Sequence, residues 1–172
     1  KAFAAGIESQ GKGNAVPVEF LGTCVDYIKA SMDRLHAQDQ RIHDILKPHV
    51  GRDDTAGNEI LANLDMRLAK SRAALAQLVA GRDAYRAKGA LGWKDFEATV
   101  AHFMDVYFNV LLKGQHSTIE MQKNLFGDKE WNDVAGVSQD ALMTEGALFA
   151  AVKRLAPAGM DPESFKAGPP VV

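Results

Sequence analysis

The fold is decided by the stretch from Trp93 to Phe126, which reads WKDFEATVAHFMDVYFNVLLKGQHSTIEMQKNLF. Its apolar residues recur every three or four positions, which is the spacing of one face of an α-helix. The stripe consists of Phe96, Val100, Phe103, Tyr107, Val110 and Leu111. Met104 and Phe108 widen it. A helix with so broad an apolar face needs neighbours on two sides, so the stretch predicts the inner helix of a helical bundle.

The opposite side of the same stretch is polar and carries His102, Asp105, Asn109, His116 and Glu120. This side is expected to face solvent. Gly114 lies in the sequence Lys113-Gly114-Gln115-His116-Ser117, which is a poor helix interior. A kink or a break of the third helix is therefore expected at Gly114.

Three more helices are predicted on either side of this one. The first runs from Val18 to about Leu46 and the second from about Ala56 to Lys88, each with an apolar stripe at helical spacing. The fourth begins near Asp128 and is stopped by Pro157. Because short turns join consecutive helices, their directions must alternate. The sequence thus predicts an all-α, up-down-up-down four-helix bundle.

The chain is expected to form a single domain, residues 1–172, because its length suits one ordinary hydrophobic core. Gly6 to Asn14 is rich in glycine and serine and lacks periodicity, so residues 1–16 are predicted to be a mobile arm. Residues 17–156 form the predicted four-helix core, and residues 157–172 a Pro-rich tail. Since the sequence begins at Lys1 without methionine, we expect a processed or excised product.

Composition excludes several classes of function. The net charge of −2 provides no electrostatic reason to expect binding to nucleic acid. The apolar runs are too short for a membrane span, so this fragment is not expected to insert into a membrane. The single cysteine, Cys24, cannot form an intramolecular disulfide, and its apolar neighbours predict a buried, inert thiol.

An arginine interrupts the apolar stripe of the second helix. Arg82 and Ser71 occupy positions that the spacing assigns to the buried face, and Tyr85 follows Arg82 on it. One interpretation is an ion pair between Arg82 and a carboxylate of a neighbouring helix. The other is a binding site in which Arg82, beside Tyr85, clamps a small carboxylate ligand. Arg82 and Tyr85 are therefore the candidate ligand-binding residues.

The antiparallel order of the helices allows positions to be compared by height. Residues equally far from a shared turn should lie at the same level. His43 should then face residues 61–65 of the second helix, and Glu145 should lie near Met32 and Asp33.

The same comparison yields a candidate metal site. Imidazoles and carboxylates that converge inside a bundle are the ligands that transition metals use. The residues predicted at a common height are Asp39, His43, His116 and Glu120, with His36 as an alternative ligand on the first helix. The competing interpretation is that His116 and Glu120 belong to a solvated face. The expectation is that the protein has no cofactor, and a transition metal is the alternative that this pattern suggests.

Signatures of known enzyme chemistry are missing from the sequence. There is no GxSxG elbow, no Gly-rich phosphate loop, no HExxH and no Glu-x-x-His of the di-iron bundles. Only His116-x-x-x-Glu120 is similar to an element of the hemerythrin family, since the second and fourth helices contain no histidine. We therefore expect a non-enzymatic binding protein. A hemerythrin-like metal-binding bundle and a helical interaction or assembly protein are the alternatives.

Part of the chain resembles a known family. The run Tyr107-Phe108-Asn109-Val110-Leu111-Leu112-Lys113-Gly114, followed by Gln122-Lys123-Asn124-Leu125-Phe126 and Trp131, is similar to the passage from the third to the fourth helix in four-helix sensor domains of bacterial chemoreceptors. The resemblance implies a small-molecule sensor without catalytic activity. It also implies an extracytoplasmic, periplasmic location, with a cytoplasmic one as the alternative, and a homodimer formed by helix packing.

Overall fold

The computed structural model describes residues 1–164, and this part of the chain is all-helical. Its α-helices are α1 Ala2–Gly11, α2 Val18–Leu46, α3 Thr55–Lys88, α4 Trp93–Val106, α5 Ile119–Leu125, α6 Asp128–Ala135 and α7 Gln139–Leu155. A π-helical segment, Tyr107–Leu112, follows α4, and short 3-10 turns occupy Lys47–His49, Gly89–Gly92 and Gln115–Thr118. No strand occurs in residues 1–164, so the predicted all-α class is confirmed. Over the same range, no helix combines the length and the hydrophobicity needed to cross a bilayer.

The end of α2 and both ends of α3 lie close to where the sequence predicts them, and local residues account for each. α2 stops at Leu46, where Lys47 and Pro48 start a 3-10 turn. α3 begins behind Asp54, whose carboxylate accepts a hydrogen bond from the amide of Gly57 at 2.9 Å. It ends at Gly89, whose φ of 58° lies in the left-handed region that favours glycine.

The long helix α3 packs against both α2 and α4, while α7 packs against α2. Every position of the apolar stripe predicted for α3 is buried, including the two polar ones: Leu61, Leu64, Leu68, Ser71, Leu75, Leu78, Arg82 and Tyr85. The stripe of α4 is buried at Phe96, Val100 and Phe103. The packing of these helices therefore follows the periodicity of the sequence.

Side-chain contacts between helices agree with the predicted antiparallel register. Glu145 of α7 lies 2.6 Å from Arg34 and 3.2 Å from Ser31, which flank Met32 and Asp33 on α2. His43 lies 3.4 Å from Asp65, at the end of the predicted range 61–65 of α3. These two contacts lie where the comparison of heights predicted them.

The N-terminal segment differs from the sequence prediction. Residues 1–16 were expected to form a mobile arm, but α1 covers Ala2–Gly11 and packs against α2. Phe3 is only 8% exposed, and its ring centroid lies 6.5 Å from that of Phe96. Gly6 permits the close approach, because a Cβ there would lie 2.9 Å from the side chain of Leu21. The prediction of a loosely packed arm was wrong. Only three residues of α1 are buried, Ala2, Phe3 and Gly6, and so few positions do not reveal a helical period in the sequence.

The third predicted helix stays helical from Trp93 to Leu125 but changes its type along its length. It was expected to run to Phe126 with a kink or a break at Gly114. The α-helical geometry gives way to a π-helical segment after Val106, and a 3-10 turn starts directly after Gly114. Gly114 itself makes a close contact, because a Cβ there would overlap the side chain of Arg67 on α3.

The fourth predicted helix is interrupted as well. α6 ends at Ala135, and α7 starts after Ser138, whose hydroxyl accepts a hydrogen bond from the amide of Ala141 at 3.2 Å. Ser138 thus acts as an internal N-cap that starts a new helix. The predicted tail is turned at residues 158–159 and 162–164. Its Pro-rich end, residues 165–172, lies outside the described residues.

Replacement of Phe3 by alanine tests the docking of α1. The change empties a site beside Phe96 and should lower the free energy of unfolding by about 3 kcal/mol. Chemical denaturation monitored by circular dichroism measures it. Glu8→Ala, on the exposed side of α1, is the matched control and should change stability by less than about 0.5 kcal/mol. Equal, small effects of both variants would restore the picture of a loose arm.

Candidate functional site

Arg82, one of the two predicted ligand-binding residues, is engaged within the protein. Its guanidinium pairs with Asp26 of α2, and with Asp83 at 2.8 Å. Arg86 joins the same cluster through Asp26 at 2.8 Å. Arg82 therefore forms an ion pair with a neighbouring helix, which was the alternative to ligand binding. The carboxylates of Asp26 and Asp83 both contact its guanidinium.

Tyr85, the other predicted ligand-binding residue, belongs to an aromatic cluster. It is 1% exposed, and its ring stacks on Phe96 with centroids 4.8 Å apart and planes at 3°. Trp93 packs edge-on against it at 5.9 Å. Burial raises the pKa of Tyr85. Neither Arg82 nor Tyr85 lines the cavity or the groove described below.

The described core consists of two apolar clusters and a set of buried polar residues. The larger cluster joins residues of α1, α2, α3, α4 and α7, and the smaller one gathers around Leu46, Leu61, Phe126 and Val134. The buried polar residues of the second half of α2, the first half of α3 and the chain around α5 form a set that we call the polar layer: His36, His43, Arg67, Ser71, Thr118 and Gln122. A buried polar group must find a partner inside the protein, so this layer constrains the packing of four elements.

His36 and Ser71 satisfy each other within the polar layer. His36 Nε2 lies 2.8 Å from the hydroxyl oxygen of Ser71, and the two side chains belong to α2 and α3. Burial lowers the pKa of His36, which favours the neutral imidazole. Ser71 is only 2% exposed, so its hydroxyl serves the packing of the two helices rather than an approaching substrate.

The predicted metal ligands do not converge. His43 faces Asp44 at 3.2 Å and Asp65 at 3.4 Å, whereas His116 is exposed and Glu120 pairs with Lys123 at 2.8 Å on the surface. In residues 1–164, no three His, Cys, Asp or Glu side chains are arranged to hold a metal ion. The predicted convergence of these residues on one metal ion is therefore not found in this range, because His43 is engaged with carboxylates of α2 and α3 while His116 and Glu120 lie on the surface.

Arg67 is a buried residue of the polar layer that the sequence analysis overlooked. It is 3% exposed, its Nε has no hydrogen-bond partner, and its Nη1 donates to the carbonyl of Leu111 at 3.5 Å. Burial lowers the pKa of Arg67 and raises that of Asp39, and the attraction between their charges opposes both shifts. Its position three residues after Leu64 and four before Ser71 was the signal for burial.

An apolar cavity lies against the larger cluster and is partly open to solvent, since Phe108 in its wall is 49% exposed. Its volume is about 520 Å³, and it is lined by α1, α2, α4, the π-helical segment, α7 and Pro162. The apolar side chains in its wall are Phe3, Cys24, Tyr27, Ile28, Met32, Leu35, Phe103, Met104, Tyr107, Phe108, Phe149 and Val152. Among the described residues in the wall, only Lys1 carries a charge. Several of these residues were predicted from their periodicity to be core, but periodicity does not reveal a space between them.

Cys24 is the one potential nucleophilic thiol at this cavity. The residue is buried, as predicted, and burial raises the pKa of its thiol to about 12. The thiolate is the reactive form, so Cys24 is unreactive near neutral pH.

A second, more open space of about 750 Å³ separates α2 from the first half of α7. Most of its charged side chains already have partners. Lys29 pairs with Asp33 at 2.6 Å, Arg34 with Glu145 at 2.6 Å, and Asp26 with Arg82. We regard this groove as an ion-paired surface and the apolar cavity as the candidate functional site.

Comparison of the chain with protein-family models, with curated proteins and with solved structures returned no match.

Replacement of Arg82 by methionine tests the ion pair. The change leaves Asp26 with Arg86 alone and should lower the free energy of unfolding by about 2 kcal/mol. This is less than the roughly 3–5 kcal/mol of a fully buried pair, because Asp26 is partly exposed. Arg72→Met, at an exposed position of α3, is the control and should change stability by less than about 0.5 kcal/mol. If Arg82→Met had the same stability as the parent, the ion pair would be ruled out as the role of Arg82 and ligand binding would be the remaining interpretation.

The pH dependence of stability tests the burial of His36. Because its pKa is lowered from 6.5 in the folded protein, the unfolded chain takes up the proton first as the pH falls. The contribution of His36 to the free energy of unfolding should be constant above pH 6.5 and decrease below it. His36→Gln, which can still bond Ser71, should show a flatter profile than the parent in urea titrations between about pH 7.5 and 5.5. The exposed-site variant His102→Gln should follow the parent. Parallel profiles for all three proteins would contradict the assignment.

Proposed function

We propose that this chain is a non-catalytic module that binds a small apolar molecule and acts as a sensor. The observation that carries the proposal is the cavity of about 520 Å³ against the larger apolar cluster. Clefts with apolar walls and a few polar groups are the usual form of small-molecule sites. The volume falls in the range of roughly 300–1,000 Å³ that small-molecule sites occupy. A ligand would therefore fill a space that the core leaves open.

The wall of the cavity determines which class of ligand fits. Aromatic rings from α1, α2, α4, the π-helical segment and α7 supply flat apolar surface, and Met32 and Met104 supply adaptable thioethers. The polar groups of the wall are few. They are Lys1, the hydroxyls of Tyr27 and Tyr107, and Ser31, which already donates to Glu145 at 3.2 Å. The ligand class that we propose is a neutral, mostly apolar molecule with an aromatic or branched aliphatic body.

The remaining parts of the proposal concern architecture and location. The helices α2, α3, α4 and α7 would be the four members of an up-down-up-down bundle, with α1 closing one end of the cavity. The resemblance to chemoreceptor sensor domains supports an extracytoplasmic module that works as a homodimer. In such a module, the cavity would be the place where the signal originates.

A fluorescence titration tests binding in the cavity. The neutral fluorophore N-phenyl-1-naphthylamine should bind the parent protein with enhanced emission, since the wall is apolar and aromatic. Met104→Trp places an indole in the cavity and should weaken binding of the probe by at least about tenfold. Melting curves of the variant should still show a cooperative transition.

The matched control is Ala101→Trp, which adds the same ring at an exposed position of α4. It should bind the probe as the parent does. Absence of binding to the parent, or equal binding by Met104→Trp and the parent, would rule out the cavity as the site.

A further inference from the structure

The π-helical segment Tyr107–Leu112 lies between the cavity and the polar layer. A π-helix forms its backbone hydrogen bonds between residues five apart, so each turn holds more residues than an α-turn. Such segments are rare and frequently occur at functional sites. Here the first two residues, Tyr107 and Phe108, belong to the wall of the cavity. A molecule in the cavity would therefore touch the segment directly.

The other end of the segment is held by Arg67. The guanidinium, 3% exposed, donates from Nη1 to the carbonyl of Leu111 at 3.5 Å, and its Nε is buried without a hydrogen-bond partner. Asp39 acts on it only through a charge interaction at longer range. A buried guanidinium with so few partners depends strongly on the carbonyl that it does reach.

Gly114 fixes the distance between Arg67 and the chain that follows the segment. A Cβ at Gly114 would overlap the methylene groups of Arg67, so the two elements touch without an intervening side chain. Any rotation of the chain at this point must therefore move the contact with Arg67. The segment is bounded by the cavity at one end and by a buried cation at the other.

We propose that Tyr107–Leu112 is a register switch that couples occupancy of the cavity to the position of α5. A ligand stabilises the π-helical register by packing on Tyr107 and Phe108. In the empty protein the segment exchanges with an α-helical register in which Leu111 leaves Arg67. This inference rests on the proposed function, because it requires a ligand in the cavity.

The geometry of the exchange determines what the switch transmits. Returning one extra residue from a π-turn to an α-turn rotates the following chain by about 100° and shifts it by about 1.5 Å. The rotation would reach Ile119–Leu125 and would change the side of α5 that faces the polar layer. By linkage, whatever favours the π-helical register also raises affinity for the ligand, and the reverse holds as well.

Hydrogen exchange of the parent protein, with and without saturating N-phenyl-1-naphthylamine, tests the switch without any substitution. Amides of residues 113–125, which do not line the cavity, should exchange at least about tenfold more slowly with the probe bound. Amides of residues 55–64, at the start of α3, provide the reference and should change much less. Protection confined to residues that line the cavity would overturn the switch.

Arg67 variants test the coupling from the other direction. Arg67→Met removes the contact with Leu111 and should weaken probe binding by about tenfold, although Arg67 does not line the cavity. Arg67→Lys retains a donor and the charge and should recover part of the affinity. Arg82→Met, at a buried arginine away from the segment, should stay within about twofold of the parent. Equal affinities of the parent and the Arg67 variants would overturn the coupling.

The two proposals fail in different ways. If the parent does not bind the probe, or Met104→Trp binds it normally, the proposed function fails and the switch fails with it. If Met104→Trp loses binding while exchange in residues 113–125 ignores the probe, the cavity stands as the site and only the switch is overturned. The exchange measurement needs no variant, so it decides the matter even if Arg67→Met does not fold.

Discussion

The burial of Arg67 is the interaction on which much of this structure depends. A guanidinium cannot lose its protein partners inside a core without a large loss of stability, so the elements around it are arranged to reach it. The carbonyl of Leu111 accepts a hydrogen bond from the guanidinium, and Asp39 supplies a negative charge at longer range. Gly114 has no side chain, which leaves room for the side chain of Arg67. The departure from α-helical geometry at Tyr107–Leu112 occurs beside this contact.

The polar layer gives the two halves of the protein different physical character. On one side, aromatic and aliphatic residues from five helices line a cavity, and Asp26, Arg82 and Arg86 hold α2 to α3 beside them. The other side holds a small apolar cluster around Leu46 and Phe126. Apolar contacts adapt in small steps, whereas buried polar contacts are either made or lost. An element that touches both, as the π-helical segment does, can convert a packing change into a discrete one.

Two arginines of α3, Arg82 and Arg67, have different surroundings that the sequence does not show. From the sequence, Arg82 and Tyr85 looked like a ligand clamp because a cation interrupted an apolar stripe. In the folded protein the carboxylates of Asp26 and Asp83 surround that cation, and Phe96 covers the tyrosine ring. Arg67, which is also buried on α3, has fewer hydrogen-bond and ion-pair partners. One helix cannot show which arginine its neighbours will satisfy, because only Asp83 belongs to α3 and the carboxylate of Asp26 comes from α2.

The sequence by itself determined the all-α class, the limits of the long helices α2 and α3, the buried stripes and the antiparallel levels that bring Glu145 to Arg34 and His43 to Asp65. These follow from periodicity, turn residues and helix geometry, which act over a few residues at a time. Only the tertiary structure decided the docking of α1, the π-helical geometry at Tyr107, the second start at Ser138, the surface position of His116, and the cavity. Each of these depends on how side chains from distant parts of the chain fill a shared space, and a linear pattern does not contain that volume.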